Sequence, residues 1–296
     1  MKYPLTEYLA PLFAEDPLVI VDAGARFGLD QRWAAFGESL KAYCFEADTA
    51  ECEQLNSVTH PGVRYIPAAL SARTGRATLY HTHYPESTGL YRTNMKFFGR
   101  LLNSANGELV STEEIEVFAL TDAQEKFGIP NHDFLKLDVE GAELDVMRGS
   151  HLGGTFGIKT EIRFHREING SPPFSEVDQF LTSRGFTLYG LWTGSQSRKA
   201  LPYPGPRIHY ATGEKFYAGT DGGQVMDGDA LYFRDPLKIK LTRNQILRSA
   251  CMFEVFDLKD CAAELLIERE KEAEVDLLAC LDLLADGSFK SYMEAY

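Results

Sequence analysis

A short apolar run that ends in carboxylates and turns at once into a helix limits the folds open to this chain more than any other feature. It is Asp133-Phe-Leu-Lys-Leu-Asp-Val-Glu-Gly-Ala-Glu-Leu-Asp-Val-Met-Arg-Gly-Ser150. Phe134 to Val139 reads as a buried strand, with Asp138, Glu140 and, one helical turn on, Glu143 at its end. Gly141 lets the chain turn, Ala142 to Met147 reads as a helix, and Gly149 is a helix stop. A strand that delivers carboxylates to its C-terminal edge and then enters a helix is how open α/β sheets build sites. Carboxylates crowded at one edge need a ligand, a cation or hydrogen-bond donors to meet them. Glu140 and Glu143 would also suit a helix N-terminus for its dipole alone.

The same plan recurs upstream. Leu18-Val-Ile-Val21 is a continuous apolar run suited to a strand covered on both faces, and it ends in Asp22-Ala-Gly24-Ala-Arg-Phe-Gly28. Asp30 to Ser39 reads as a helix with Trp33, Ala34 and Phe36 or Phe27 turned inward. Ala42 to Phe45 is a second strand, stopped by Glu46 and Asp48, and Thr49 to Asn56 a helix. Val63 to Ile66 is a third strand, with Ala68-Ala-Leu70 as its exit loop. Gly157 to Phe164 is a fifth parallel candidate, ending at His165. Phe186 to Tyr189 and Ala230 to Phe233 read as late strands, antiparallel at the sheet edge. Alternation of strand and helix from Leu18 to Phe164 predicts an α/β, doubly wound, mainly parallel sheet. Tyr3 to Ala14 reads as an amphipathic helix. Asp235-Pro236 marks a boundary, so residues 1–236 form the predicted α/β domain. Residues 237–296 form a helical extension, apolar at Ile246, Leu247, Phe253, Phe256, Leu265, Leu266 and Leu277 and acidic on the opposite face. That extension is expected to pack on the domain or to pair two subunits into a homo-oligomer.

Bulk properties exclude several partners. With 296 residues and 44% hydrophobic content a substantial core is expected. A net charge of −13 argues against nucleic acid, leaving Arg92, Lys96 and Arg100 as the best local basic patch. No apolar run approaches the roughly 20 residues needed to span a bilayer, and the N-terminus lacks a secretory pattern. Five cysteines without CxxC spacing suit reduced thiols, and the expected location is cytoplasmic.

The loop Asp22-x-Gly24-x-x-x-Gly28 resembles a nucleotide-cofactor turn that lacks the middle glycine of dinucleotide loops. Its leading carboxylate would repel a pyrophosphate and attract an ammonium group. S-adenosylmethionine carries an ammonium and a sulfonium and no phosphate. Glu46 falls about 20 residues past the loop, where a ribose-binding carboxylate is expected.

Together, Val21-Asp-Ala-Gly-Ala-Arg-Phe-Gly28, Phe45-Glu-Ala-Asp48, Ala68-Ala-Leu-Ser71, Phe134 to Gly149 and Gly228-Asp-Ala-Leu-Tyr-Phe233 resemble the successive motifs of the FkbM-type methyltransferases. The Lys-x-Asp-x-Glu-Gly-x-Glu element is the most specific part. The resemblance runs from about Leu18 to Asp235. It implies a class I, Rossmann-like methyltransferase fold, S-adenosylmethionine as donor and a hydroxyl oxygen as acceptor. By motif, Asp22, Gly24, Ala25, Arg26, Phe27 and Gly28 would hold the methionine part. Glu46 and Ala47 would take the ribose, Ala68, Ala69 and Leu70 would lie near the adenine, and Asp138 beside the sulfonium or the acceptor. Arg26-Phe27 departs from the family, which often has Asn or a small residue there.

The general base is sought at strand ends: Asp138 and His165 first, then His81, His83 and Glu140. Asp138, Glu140 and Glu161 offer oxygens of the kind Mg²⁺ takes, although a metal is not the favoured reading. Residues 82–107 are expected to form a lid offering Tyr84, Ser87, Tyr91, Arg92 and Asn94 to a glycan or small polyhydroxylated acceptor. A second insertion, Tyr203 to Tyr217, is a weaker candidate for the same role. A valine at Gly24 would be expected to occupy donor space. A nicotinamide-dependent oxidoreductase on the same fold and a catalytically silent scaffold are the competing readings.

Overall fold

The computed structural model describes residues 2–58, 60–201, 205–208, 215–218 and 223–288, the two short segments as backbone only. Twelve strands are present among these residues: β1 Leu18–Ala23, β2 Leu40–Glu46, β3 Val63–Pro67, β4 Ala69–Leu70, β5 Gly75–Thr82, β6 Leu109–Phe118, β7 Phe134–Leu137, β8 Gly157–Arg163, β9 Phe186–Gln196, β10 Gly205–Ile208, β11 Lys215–Ala218 and β12 Gln224–Arg234. Seven of them form one sheet in the order β3-β2-β1-β7-β8-β12-β9. From β3 to β8 the pairing is parallel, while β12 runs antiparallel to both of its neighbours. The fold is class I and Rossmann-like. Its antiparallel strand lies one place inside the edge, because β9 pairs along its outer side.

All six residues of β1 are buried, which is why Leu18 to Val21 reads as an unbroken apolar run rather than an alternation. One face of the sheet carries Val21, Leu135, Ile158 and Tyr232 against the helices Leu120–Phe127, Glu143–Arg148 and Phe174–Thr182. The other carries Ile20, Phe134, Leu231 and Phe233 against the N-terminal helix Pro4–Leu9 and the C-terminal helices. A second sheet, β4-β6-β5, leans over the C-terminal edge near β1 and β2. The Ala68 to Leu70 exit loop thus proves partly strand, since Ala69–Leu70 pairs with Val117 and Phe118.

Residues 237–288 form helices Arg243–Val255, Lys259–Glu268, Glu270–Ala273 and Leu277–Leu284. The first is buried almost throughout, because it lies between the sheet and the other helices. Its Glu254 is 1% exposed and caps the N-terminal helix, accepting from Leu5 N (2.9 Å), Thr6 N (2.7 Å) and Thr6 Oγ1 (2.7 Å). Those are amide groups that a helix start leaves without partners of its own. Arg248 ties the same helix to Asp16 and Asp133. The N-terminal helix and the helices between residues 243 and 284 therefore share one core with the sheet.

Some local expectations change. Asp30 to Ser39 forms 3₁₀ turns, kinked at Gly37 with φ 52°, with Trp33 and Phe36 inward but Ala34 outward. Phe27 is 75% exposed, at the rim of the cleft described below. The predicted N-terminal helix gives way to a 3₁₀ turn after Leu9, leaving Leu12 exposed. Among the described residues, the Gly- and Pro-rich stretch 194–228 contributes the end of β9, the start of β12 and the β10–β11 pair; the side chains of the expected insertion Tyr203 to Tyr217 lie outside the described residues.

Candidate active site

Gly24 carries the first constraint. Its φ is +82°, and a Cβ there would sit 1.8 Å from the carbonyl oxygen of Asp138. Only a residue without a side chain lets β1 and β7 leave the sheet so close together. The space a Gly24 side chain would enter is therefore backbone of the neighbouring strand, not the donor's. Gly24→Ala is expected to destabilise the fold by at least 1–2 kcal/mol from its backbone conformation alone, on the order of the left-handed penalty. Urea denaturation checks this; unchanged stability would contradict the close approach.

Beneath the loop lies a charged row. Lys136 Nζ donates to Gly24 O (2.8 Å) and stands 3.1 Å from Asp22 Oδ1 and 3.6 Å from Asp138 Oδ2. Burial pushes the Asp22 carboxyl up, against the pull of Lys136. Burial opposes charge on Lys136, but Asp22 and Asp138 outweigh it and hold its pKa above the ordinary lysine value. Asp22, 4% exposed, is thus occupied from below and does not line the cleft. Ala25 is likewise buried, its N–H donating to Phe45 O (3.1 Å). Gly28 lies against Tyr65, whose hydroxyl would meet a Cβ at 3.3 Å. These three support the loop from within.

Above the row opens a cleft of about 630 Å³. Gly24, Arg26, Phe27, Glu46, Ala47, Ala68, Ala69, Leu70 and Asp138 line it together. Arg26 pairs with Asp48 (3.4 Å). Glu46, its pKa raised by burial, has Oε1 fixed by Asp48 N (2.9 Å). The far wall is the second sheet, which contributes Leu79 and His81 from β5 and Glu113 and Ile115 from β6. His81 Nε2 lies 3.2 Å from Glu113 Oε2. Leu79 and His81 on β5, like Glu113 and Ile115 on β6, are two residues apart and so share a face, but the pairing that brings the two strands to the cleft spans residues 83–108. That segment supplies Pro85, Glu86, Thr88, Gly89 and Leu90 to the lining. Tyr84, Ser87, Tyr91, Arg92 and Asn94 are not part of it. The Tyr91 hydroxyl instead donates to Asp145 and Asn94 Nδ2 to Arg166 O, so these two anchor the segment.

His165 is not brought to the cleft. Its ring stacks on Phe97 (5.5 Å between centroids), and Nε2 faces Val225 O (3.0 Å) and the Gln224 side chain (2.8 Å). Position after a strand pointed to it, but β12 pairs beside β8 and takes the imidazole for itself.

The turn after β7 is held by charge. Glu140 has φ 54° and Gly141 φ 99°. Glu143, 3% exposed, closes the turn by accepting from Val139 N and Gly141 N (both 3.0 Å). Arg163, 5% exposed in its side chain, reaches Glu140 (2.8 Å), Glu161 (2.8 Å), Glu167 (3.5 Å) and Glu143 (3.8 Å). Burial, opposed by Arg163, pushes Glu140 up to about 8 and Glu167 up to about 7. One oxygen each of Asp138, Glu140 and Glu161 falls within 4.8 Å of the others, a spacing a hard cation can bridge. Arg163 already supplies positive charge to two of the three.

The sequence matches the Methyltransferase FkbM domain model over residues 22–188. No curated protein matches it. Among solved structures it is similar to a SAM-dependent methyltransferase from Agrobacterium tumefaciens, at 12% identity and a TM-score of 0.33, covering 77% of this chain and 59% of that one. The chain thus spans less than two thirds of that protein. It is also similar to precorrin-6y C5,15-methyltransferase from Geobacter metallireducens, at 11% identity, TM-score 0.32 and coverage of 77% and 87%. A third likeness is to 1,6-didemethyltoxoflavin-N1-methyltransferase from Burkholderia thailandensis, solved with S-adenosylhomocysteine, at 10% identity, TM-score 0.32 and coverage of 79% and 80%. With the family motifs lying along one sheet edge around one cleft, the chain belongs to the FkbM methyltransferase family.

Proposed function

We propose that the protein is an S-adenosylmethionine-dependent O-methyltransferase acting on a hydroxyl of a glycan or small polyhydroxylated metabolite. One observation carries the donor: Glu46, Asp48, Glu86, Glu113, Asp138 and Glu140 line the cleft, against Arg26 and His81. Such a lining repels a pyrophosphate and attracts a cation. Glu46, at the end of β2, lines the cleft and in this reading accepts from the ribose hydroxyls. Gly24, Arg26 and Phe27 hold the methionine part, and Ala68–Leu70 with Leu79 and Ile115 forms an apolar slot for the adenine. Residues 237–288 serve as a buttress for the α/β domain before them.

The donor supplies a methyl carbon already activated by sulfonium. The acceptor oxygen forms its bond to that carbon as the carbon–sulfur bond breaks, the electron pair going to sulfur and the hydroxyl proton to Asp138. Alignment can contribute about 7–11 kcal/mol. Asp138 holds the proton at the edge of the cleft, with Lys136 below it. Glu140, Glu143 and Arg163 set the shape of the turn that carries Val139 and Glu140 over the reacting centre.

Thermal-shift measurements separate this reading from a nicotinamide-dependent oxidoreductase: S-adenosylhomocysteine is expected to stabilise the protein, and stabilisation by NAD alone would reverse the choice. Glu46→Ala is expected to weaken S-adenosylhomocysteine binding by about 10-fold or more, as loss of a charged hydrogen bond of about 1.5–3 kcal/mol requires. Unchanged affinity by calorimetry would remove Glu46 from the ribose.

A further inference from the structure

Asp138 lines two cavities. Beyond it, on the side away from the second sheet, lies a space of about 420 Å³ between the ends of β8, β9 and β12. This is within the roughly 300–1,000 Å³ of ordinary ligand pockets.

Its floor has an unusual construction. On β9 the pleat places residues 190 and 192 on one face. Gly190 has no Cβ; one there would lie 2.5 Å from Cη2 of Trp192. The indole consequently folds back along its own strand and is 39% exposed. Across the ladder, Asp229 pairs with both Trp192 and Glu161, so the three side chains share a face. Gly228 brings the two backbones together, since a Cβ there would be 2.0 Å from Trp192 O. A Cβ at Gly194 would stand 2.3 Å from Asp227 Oδ1, so glycine leaves that carboxylate its room. Asp227 and Asp229 are each anchored through Oδ2, by Gln196 Nε2 (3.0 Å) and Lys159 Nζ (2.9 Å). The result is a flat aromatic surface beside oriented carboxylates, with Gly190 giving the indole its room and Gly194 giving Asp227 its own.

We infer that this cavity is the acceptor subsite and that it takes a pyranose ring, stacked on Trp192 with hydroxyls donating to Asp227 and Asp229. An aromatic face suits the C–H face of a sugar, and ionised carboxylates accept from hydroxyls without donating. The acceptor then approaches the methyl group from across Asp138, opposite the wall formed by the second sheet. This rests on the donor occupying the larger cleft.

Trp33 and Trp192 are the chain's two tryptophans, and Trp33 is buried in the aromatic core. Tryptophan emission of the full chain, loaded with S-adenosylhomocysteine, is titrated with a panel of methyl hexopyranosides and with catechol as a planar diol. At least one pyranoside is expected to shift the emission saturably, with no shift in Trp192→Phe. With tritiated S-adenosylmethionine, that pyranoside accepts label. Trp192→Ala raises its KM about 10-fold or more, with kcat within about threefold, and Trp192→Phe restores most of the loss. Binding of S-adenosylhomocysteine is unchanged in both variants. If S-adenosylhomocysteine binds but no pyranoside does, or only catechol does, the sugar subsite is overturned while the donor reading stands. Binding without transfer, or an unchanged KM in Trp192→Ala, overturns it equally. If S-adenosylhomocysteine itself fails to bind, the donor reading falls and takes the subsite with it.

Discussion

Asp138→Asn is expected to lower kcat for methyl transfer by about 10²–10³-fold, within the range general bases contribute. Affinity for S-adenosylhomocysteine should change by no more than about threefold, since the amide keeps the shape of the side chain. The position explains both halves. Asp138 follows β7 directly, its backbone carbonyl wedged against Gly24, so the main chain is immobile where the carboxylate begins. The carboxylate is half exposed and lines both cavities, where the proposed reaction would release a hydroxyl proton as the new bond forms. Asparagine keeps the backbone wedge and loses the proton acceptor. Lys136 retains Asp22 as its partner, so the row beneath remains charged and paired. Steady-state transfer from tritiated donor, with calorimetry alongside, gives the measurement. Turnover equal to that of the unaltered protein would remove Asp138 from the mechanism.

Arg163→Met is expected to cost about 3–5 kcal/mol above about pH 8, where the buried carboxylates are charged and lose their partner. Four glutamates, 140, 143, 161 and 167, converge on that guanidinium. Methionine fills the volume but neutralises none of them. The pH dependence has a definite sign. Glu140 is pushed up to about 8 and Glu167 up to about 7, above the ordinary glutamate value of 4.5. The folded state therefore holds more protons than the unfolded chain between those values. Stability from these groups is complete below the unfolded pKa and is lost as pH rises through the folded one, between about pH 5 and about pH 8. Melting temperature should fall across that window in the natural protein and fall more steeply in Arg163→Met. Glu140→Gln should flatten part of the slope. A melting temperature that climbs from pH 5 to pH 8 in the natural protein would show that these carboxylates are ionised throughout.

Much of the architecture was legible in residue order. Leu18 to Val21 announced β1, and Phe134 to Val139 announced β7 and its turn, because strands covered on both faces need continuous apolar side chains. Gly24 and Gly149 were visible as points where a chain must turn or stop. The Lys-x-Asp-x-Glu-Gly-x-Glu element carried the family, which the match over residues 22–188 now shows. The cleft-lining carboxylates Glu46 and Asp138 were recognised because each ends a strand. No helix among the described residues is long and apolar enough to cross a membrane, as the hydropathy pattern implied.

Other assignments depended on partners far away in the chain. Asp22 looked like a ligand for an ammonium group, yet Lys136, 114 residues on, meets it from below. His165 looked available until β12 was seen beside β8. His81 and Glu113 reach the cleft only because β5 and β6 pair across the intervening segment. The C-terminal helices were expected to pack on the domain or to pair two subunits, and only the tertiary structure sets them against the core that β1 and β7 share with the N-terminal helix. Periodicity and turn chemistry act between residues a few places apart, so they can be read along the chain. Desolvation, charge pairing and cavity shape depend on which strands become neighbours, and it is the order of those strands that places Arg163 among its glutamates and Trp192 across from Asp138.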